Sequence, residues 1–368
     1  MKRPRARELG WIVGRMPPGQ LNAITDVPGV LVGHTTLFRG GEPSGPGRGP
    51  VRTGVTVVLP HPDDPFKEKV RAAVATINGY GKAVGFEQVR ELGVLESPIA
   101  LTGTLNVGKV MDALVQAAVQ RNTKLHTGTG SVNVVVGEIY DGYLNEAAGR
   151  HVQAEDVFTA LENASAGLVP EGNVGGGTGA VCFGWKGGMG TASRVIVAGE
   201  EHFTLGVLVQ ANFGHWRDLT VLGVPVGQSL APDSPPPFNI QPGGSVMIVM
   251  ATDVPLDSRQ LGRVARRAGA GIARLGSSFA HSSGDFVIAF STAVRLPQEH
   301  RTILTLQPLV ADERAMMAQL FPAAAEAVEE AVLNALCAAK TTTGWWQHTA
   351  YELPTEQVSA LLRKHGRL

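Results

Sequence analysis

One serine in this 368-residue chain has a setting that could support nucleophilic chemistry. Ser245 stands in the stretch QPGGSVMIVM, after a turn sequence that ends in Gly243 and Gly244 and before the apolar run of a strand. Glycine tolerates strained dihedral angles and leaves its carbonyl group open to attack by the hydroxyl group that follows. Cleavage between Gly244 and Ser245, through an N-to-O acyl shift and hydrolysis, would make Ser245 an N-terminus.

An N-terminal serine would carry its own general base. The α-amino group has an ordinary pKa of about 7.7–8.0, so near neutral pH it can accept the proton of the hydroxyl group on the same residue. This is the arrangement of N-terminal-nucleophile hydrolases. Gly-Gly-Ser is also common in turns, and the short stretch by itself more often describes an ordinary turn.

Other familiar motifs give weaker signals. The sequence contains no G-x-S-x-G nucleophile elbow and no S-x-x-K motif, and its two cysteines and ten histidines form no cluster with metal-ligand spacing. The glycine-rich segment 172–190 matches the dinucleotide fingerprint, but no clear strand precedes it and no periodic helix follows. Tight turns and close packing explain this segment better than a nucleotide site does. We therefore expect neither a metal nor an organic cofactor.

Longer blocks of the chain resemble the DmpA-like L-aminopeptidase/D-esterase and β-peptidyl aminopeptidase family. In chain order, the matching blocks are 21–36, 77–108, 134–145, 171–179, 207–214, 243–256 and 282–292. The loop at 39–50, the proline-rich segment 231–239 and the tail after residue 340 match least well. The blocks are long and keep their order, so together they are far more specific than any single motif.

The resemblance implies both a fold and a processing event. Family members cut themselves before a serine at the position of Ser245, and the two products stay together. The expectation is a single α/β domain over 1–368, cut into an α chain of residues 1–244 and a β chain of residues 245–368. The implied fold is a four-layer αββα sandwich of the N-terminal-nucleophile-hydrolase type, and the implied assembly is a homotetramer of αβ units.

The resemblance also assigns catalytic roles on two other segments. Asn212 in QANFG corresponds to the side chain that donates a hydrogen bond to the oxyanion, where an amide donor stabilises developing negative charge. Ser283 and Asp285 in SSGD correspond to the serine and the acid that orient the amine and hydroxyl groups of Ser245. Without the family, Asn212 is equally a capping or turn residue, and a turn before the strand 286–291 is the preferred interpretation of SSGD.

Two residues of the motif GEIYDGY correspond to the lining of the substrate pocket. A carboxylate is the natural partner of the free ammonium group that an aminopeptidase must recognise, so Glu138 is the candidate for substrate binding. Tyr140 is the candidate for a hydroxyl group that assists the oxyanion or orients the substrate. Tyr143, on the same motif, fits that role as well.

The resemblance predicts a self-processing serine aminopeptidase or amidase. It would release N-terminal L-, D- or β-amino acids from short peptides, amides and esters through an acyl-enzyme on Ser245. One alternative is an acyltransferase of the ornithine acetyltransferase type, but those enzymes use a threonine nucleophile, so Ser245 favours the hydrolase. Another is a non-enzymatic ligand-binding protein built on segment 172–190.

The elements that must position these residues alternate along the chain. Short runs rich in valine and isoleucine predict strands at 53–59, 97–102, 131–137, 194–198, 204–211, 245–251 and 286–291. Apolar periodicity predicts helices at 105–121, 154–165, 258–275, 312–321, 322–339 and 354–364. Asp257 or Ser258 is expected to cap the third helix, and Pro322 to separate the fourth from the fifth. Buried strands covered by helices indicate a layered α/β structure.

Composition and charge narrow the class of protein. Apolar residues make up 43% of the chain and charged residues 17%, so the chain can bury a large core. Basic and acidic residues both number 32, and the resulting net charge of zero argues against nucleic acid or an anionic membrane as the main partner. No stretch resembles a signal peptide or a membrane span, so we expect a cytoplasmic protein.

Overall fold

A computed structural model describes residues 3–41, 47–128, 130–233, 235, 244–300 and 302–368. Gly243 and most of the proline-rich segment 231–239 lie outside the described residues. The strands are β1 (Leu31–Arg39), β2 (Val51–Leu59), β3 (Glu68–Gly79), β4 (Val94–Leu95), β5 (Ile99–Gly103), β6 (Val135–Ile139), β7 (Val181–Cys182), β8 (Trp185–Lys186), β9 (Gly188–Ala198), β10 (Glu201–Phe213), β11 (Gly244–Thr252), β12 (Gly284–Pro297), β13 (Thr342–Thr343) and β14 (Thr349–Ala350). The α-helices are α1 (Phe86–Leu92), α2 (Val107–Arg121), α3 (Thr123–His126), α4 (Ala154–Glu162), α5 (Ser258–Ala265), α6 (Ala268–Arg274), α7 (Glu313–Ala338) and α8 (Thr355–Lys364).

Two sheets form the centre of the molecule. The smaller has the strand order β1-β2-β5-β6, and the larger has the order β4-β3-β12-β11-β10-β9. Neighbouring strands are antiparallel except for β5 with β6 and β11 with β12, which are parallel. The parallel pair β11–β12 is connected through α5 and α6, as a parallel connection requires.

Three layers of apolar contact separate four layers of secondary structure. Helices α5, α6 and α7 pack on one face of the larger sheet, and Ile248 and Val287 point into that contact. The neighbouring strand residues Met247 and Ile288 point the other way, into the core between the two sheets. Helices α2 and α4 pack on the outer face of the smaller sheet. This arrangement confirms the predicted αββα sandwich.

A glycine allows the two sheets to approach each other closely near the start of β11. A Cβ atom at Gly137 in β6 would lie 2.2 Å from the terminal methyl group of Met247 in β11. A larger residue here would therefore require the Met247 side chain to move. As a result, the end of β6, which carries the GEIYDGY motif, lies against the strand that begins with Ser245.

Two helix predictions need correction. The predicted helices 312–321 and 322–339 form the single helix α7, with Pro322 inside it. An interior proline costs about 3 kcal/mol because it removes one backbone hydrogen bond, but α7 is buried along most of its length and apolar contacts offset that cost. The predicted helix 258–275 is divided into α5 and α6, and Asp257 caps α5 by accepting a hydrogen bond from the Gln260 amide at 2.6 Å.

The glycine-rich segment is part of the core. Residues 175–190 are buried without interruption, which leaves no surface for a nucleotide. Lys186, also fully buried, donates its three ammonium protons to the carbonyl oxygens of Gly177, Ala180 and Gly187 at 3.2, 2.8 and 2.8 Å. Tight turns and close packing therefore account for this segment, and the ligand-binding alternative loses its site.

An ion-pair network fastens α7 to the larger sheet. The fully buried Arg194 of β9 contacts carboxylate oxygens of Glu326 at 3.1 Å and of Glu330 at 2.7 Å. Glu330 also accepts a hydrogen bond from Arg7 at 2.7 Å, which ties the N-terminal segment to the same helix. Among the described residues, no helix combines the length and the apolar character that crossing a membrane requires.

Candidate active site

Ser245 is a buried residue at the beginning of a central strand. In the sheet it lies between Asn212 of β10 and Gly284 of β12. Its predecessor Gly244 has a φ of 77°, in the left-handed region, and a Cβ atom there would lie 2.3 Å from the carbonyl oxygen of Asn212. Both conformation and space therefore require glycine before Ser245.

Two N–H donors point at the hydroxyl oxygen of Ser245. The backbone N–H of Tyr140 lies 3.2 Å from Oγ, and Nδ2 of Asn212 lies 3.5 Å from it. Asn212 is held at both ends, because Nδ2 donates to the Tyr140 carbonyl at 3.0 Å and Oδ1 accepts from the Val181 amide at 2.8 Å. These contacts keep the Asn212 side-chain NH₂ group directed at Ser245.

The Val181 amide is itself supported by the buried lysine. Lys186 donates to the carbonyl oxygen of Ala180, which is joined to the Val181 amide by the peptide bond. The glycine-rich segment therefore contributes to the site indirectly, by fixing the backbone group that orients Asn212.

Ser283 and Asp285 form a hydrogen-bonded pair on the other side of Ser245. Ser283 Oγ donates to Asp285 Oδ1 at 2.6 Å, and both residues are buried. Burial raises the pKa of Asp285 to about 6, although the Ser283 hydrogen bond opposes the shift. Among the described residues, Asp285 Oδ2 is buried and has no hydrogen-bond partner. Ser283 and Asp285 stand on either side of Gly284, which lies opposite Ser245 in the sheet.

A cleft of about 710 Å³ opens over these groups. Ser245, Asn212 and Tyr140 line it, together with Glu138, Lys82 and Leu105. A cavity of this size accommodates a small organic molecule or a short peptide end. Ser282 lines the cleft, whereas its buried neighbours Ser283 and Asp285 do not.

Glu138 is the buried carboxylate of this cleft. It is 5% exposed and accepts a hydrogen bond at Oε1 from the Lys82 amide at 2.9 Å. Burial raises the pKa of Glu138, while the Lys82 amide and charge and the Thr104 side chain oppose the shift. Lys82 is exposed, and its Nζ donates to Thr104 Oγ1 at 2.8 Å.

The two tyrosines of the motif have different surroundings. Tyr140 is 47% exposed and lines the cleft. Its backbone N–H contacts Ser245, whereas its hydroxyl group lies beside Gly142. Tyr143 is buried outside the cleft and stacks on His348, with ring centroids 4.4 Å apart. Of the two tyrosines, Tyr140 therefore lines the cleft, and its contact with Ser245 is made by the main chain and not by the hydroxyl group for which it was a candidate.

A possible metal-ligand group exists elsewhere. Among the described residues, His61, Asp63 and Glu68 offer ligand atoms within 4.8 Å of one another. Arg295 pairs with both carboxylates, so these two groups already have a cationic partner. None of the three residues lines the cleft over Ser245.

The chain is similar to known proteins in both sequence and structure. The sequence pattern of peptidase family S58 matches residues 22–350. The chain is 42% identical to the beta-peptidyl aminopeptidase BapA of Sphingosinicella microcystinivorans, over 99% of this chain and 93% of that protein.

Solved structures extend the similarity to three dimensions. The PH0078 protein from Pyrococcus horikoshii OT3 has a TM-score of 0.92 and 44% identity, over 99% of this chain and 100% of that one. The L-aminopeptidase D-Ala-esterase/amidase from Ochrobactrum anthropi, described as a prototype for the serine aminopeptidases and a variant of the Ntn hydrolase fold, has a TM-score of 0.91 and 41% identity over the whole of both chains. With matches of this extent in both sequence and structure, the chain belongs to peptidase family S58.

Proposed function

We propose that this family S58 member is a self-processing serine aminopeptidase and amidase with Ser245 as its nucleophile. The aminopeptidase class follows from the family and from relatives that match almost the whole chain. The observation that most directly supports the role of Ser245 is the convergence of the Tyr140 amide and Asn212 Nδ2 on its Oγ. Two N–H donors beside a hydroxyl group suit a nucleophile whose attack creates negative charge nearby.

The first reaction is the cut of the chain itself. Ser245 Oγ attacks the carbonyl carbon of Gly244, the C–N bond between the two residues breaks, and the hydroxyl proton passes to the departing nitrogen. Water then hydrolyses the resulting ester, which leaves a carboxylate on Gly244 and restores the hydroxyl group. Gly244 adopts its left-handed conformation without steric penalty, and its missing side chain leaves the carbonyl carbon open to the Ser245 hydroxyl group.

The fold is compatible with two products that stay together as one α/β domain. Residues 1–244 would supply β10, and residues 245–368 would supply β11 and β12. The pairing of β10 with β11 extends from Asn212 opposite Ser245 to Leu205 opposite Thr252, so the sheet continues across the two chains. A cut at the first residues of β11 removes one covalent bond and leaves this pairing intact.

In the cut enzyme, the Ser245 α-amine would be the general base for its own hydroxyl group. Asp285 would then acquire a cationic neighbour. In the uncut chain its Oδ2 lacks a partner among the described residues, and an ammonium group on Ser245 would supply one. Ser283, which donates to the other oxygen, would hold the carboxylate in place. The acyl-enzyme on Ser245 is finally released by water.

Glu138 would bind the free ammonium group of the substrate. It is the buried carboxylate among the groups that line the cleft, and an ion pair with the substrate would offset the desolvation that raises its pKa. The substrates we propose are short peptides, amides and esters with N-terminal L-, D- or β-amino acids, in line with the activities named for the relatives. We further propose a cytoplasmic homotetramer of αβ units that works without a cofactor.

Denaturing mass spectrometry of the purified protein tests the proposal. If the nucleophile is an N-terminal serine, the 38.7 kDa chain should separate into pieces of about 26 and about 13 kDa, in proportion to their 244 and 124 residues. Ser245→Ala should give a folded, uncut and inactive chain, whereas the control Ser258→Ala at the start of α5 should be cut as usual. A stable full-length chain that hydrolyses alanyl amides would overturn the proposal.

A further inference from the structure

The cleft holds a cation as well as a carboxylate. Lys82 lies in the loop that follows β3 and is exposed on the cleft wall. Its Nζ donates to the hydroxyl oxygen of Thr104 at 2.8 Å, which leaves the other two ammonium protons directed away from that contact. Among the described residues, Lys82 forms no ion pair with a carboxylate, which distinguishes it from Lys69, whose Nζ contacts Glu96 at 2.6 Å.

The Lys82 ammonium group is close to the proposed binding site for the substrate amine. The Lys82 backbone N–H donates a hydrogen bond to Glu138. The Thr104 side chain interacts with both residues: its hydroxyl oxygen accepts a hydrogen bond from Lys82 Nζ, and a hydrogen bond from Thr104 lowers the pKa of Glu138. The positive charge of Lys82 also lowers the pKa of Glu138. One positive and one negative group therefore stand side by side, with a threonine between them, on the same wall of the cleft.

We infer that Lys82 forms a carboxylate subsite next to the ammonium site at Glu138, and that the enzyme prefers substrates whose N-terminal residue carries a carboxylate. This inference rests on the proposed function. A substrate with an ammonium and a carboxylate group on its first residue pairs each of its charges with the opposite charge on the wall. A neutral first residue leaves Lys82 without such a partner.

Two kinds of N-terminal residue supply this chemistry. An α-linked aspartyl residue carries the carboxylate on its side chain, and a β-linked aspartyl residue carries it on the same carbon as the ammonium group. Both have the scissile carbonyl within a few bonds of the two charges, and Ser245 lines the same cleft as Lys82 and Glu138. A third source of a carboxylate, the C-terminus of a dipeptide, lies on the leaving group and is a separate possibility.

The test compares matched amides that differ by one charge. The ratio of kcat/KM for aspartyl over asparaginyl amides, measured separately for α- and β-linked compounds, reports the carboxylate preference. We expect a ratio of about three to thirty in the wild-type enzyme, because an ion pair in an open cleft is weaker than a buried one. The linkage with the higher ratio identifies which aspartyl residue supplies the carboxylate. The ratio should fall as ionic strength rises.

Variants of the lysine connect the preference to its charge. Lys82→Gln should bring the ratio close to one, and Lys82→Arg should retain most of it; neither change removes the backbone N–H that binds Glu138. The control Lys364→Gln, at the exposed end of α8, should keep the wild-type ratio. A ratio that is unchanged in Lys82→Gln would overturn the subsite. So would a lysine-dependent preference confined to dipeptides with a free C-terminus.

The two proposals fail in different ways. If the wild-type enzyme hydrolyses alanyl amides but Lys82→Gln leaves the aspartyl ratio unchanged, the subsite is wrong and the aminopeptidase mechanism stands. If the purified chain neither cuts itself nor hydrolyses any amino-acyl amide, the proposed function fails and the subsite fails with it.

Discussion

Asn212 lies directly opposite Ser245 in the antiparallel pairing of β10 with β11, and its Nδ2 is 3.5 Å from the serine Oγ. The amide group cannot turn freely, because the Val181 amide donates to Oδ1 and the Tyr140 carbonyl accepts from Nδ2. A donor held in this way needs no reorganisation when negative charge develops beside Ser245, and such preorganised donors account for much of the rate of acyl transfer.

Asn212→Ala should therefore lower kcat by about 10²–10³-fold, the usual effect of losing one oxyanion donor. KM should change little, and self-cleavage should slow as well, since it uses the same nucleophile. Kinetics with an alanyl amide and denaturing mass spectrometry measure the two effects. The matched control is Asn163→Ala at the exposed end of α4. An Asn212→Ala enzyme with normal kcat would remove Asn212 from the mechanism.

Glu138→Gln should separate self-cleavage from turnover. The cut at residues 244 and 245 involves no substrate ammonium group, so this variant should still process itself. Its kcat/KM for amino-acyl amides should fall about ten- to a hundred-fold, because a charge-assisted contact worth roughly 1.5–3 kcal/mol becomes a neutral one. Glu87→Gln, a change at an exposed glutamate on α1, provides the control. If Glu138→Gln keeps full activity, another group binds the substrate amine.

The value of kcat/KM should fall as the pH is lowered. The neutral Ser245 amine is the base, and its protonation as pH decreases removes that base. The negative charge of Asp285 stabilises the protonated amine, so Asp285→Asn should move the midpoint of the acidic limb to lower pH. Activity profiles of both enzymes between about pH 5 and 9, the range in which an α-amine titrates, measure the shift. A profile flat over this range would argue against an amine base.

The strand segments that carry the site could be predicted from the sequence because these parts of the strands are central and buried. The predicted segments 204–211, 245–251 and 286–291 all lie within β10, β11 and β12. β1 and β3 were not predicted, since both are only partly buried and their polar residues and alanines obscure the apolar pattern. The order of the strands has no local signal at all, and the four-layer arrangement followed from the family resemblance.

Two groups of the site could not be predicted from the sequence, because neither has a local sequence signal. The Tyr140 amide is a backbone group that almost every residue possesses, so no residue type could have identified it as a donor to Ser245. Lys82 meets Glu138 only because the loop after β3 and the end of β6 converge, 56 residues apart in the chain. Gly244 could be recognised because the requirement for glycine depends only on the left-handed conformation of that one residue.

Asp285 should destabilise the uncut chain near neutral pH. Burial raises its folded-state pKa to about 6, above that of an unfolded aspartate, so the stability linked to this group is present at low pH and is lost as pH rises through about 6. In a Ser245→Ala background, which stays uncut, Asp285→Asn should therefore increase the free energy of unfolding by about 1–3 kcal/mol at pH 8 and by little at pH 4. Asparagine keeps an acceptor for Ser283, so the hydrogen bond at Oδ1 has a replacement. Urea unfolding at the two pH values measures the difference, with Asp233→Asn, at an exposed site outside the cleft, as the control. An equal effect at both pH values would show that the carboxylate of Asp285 is not the destabilising group in the precursor.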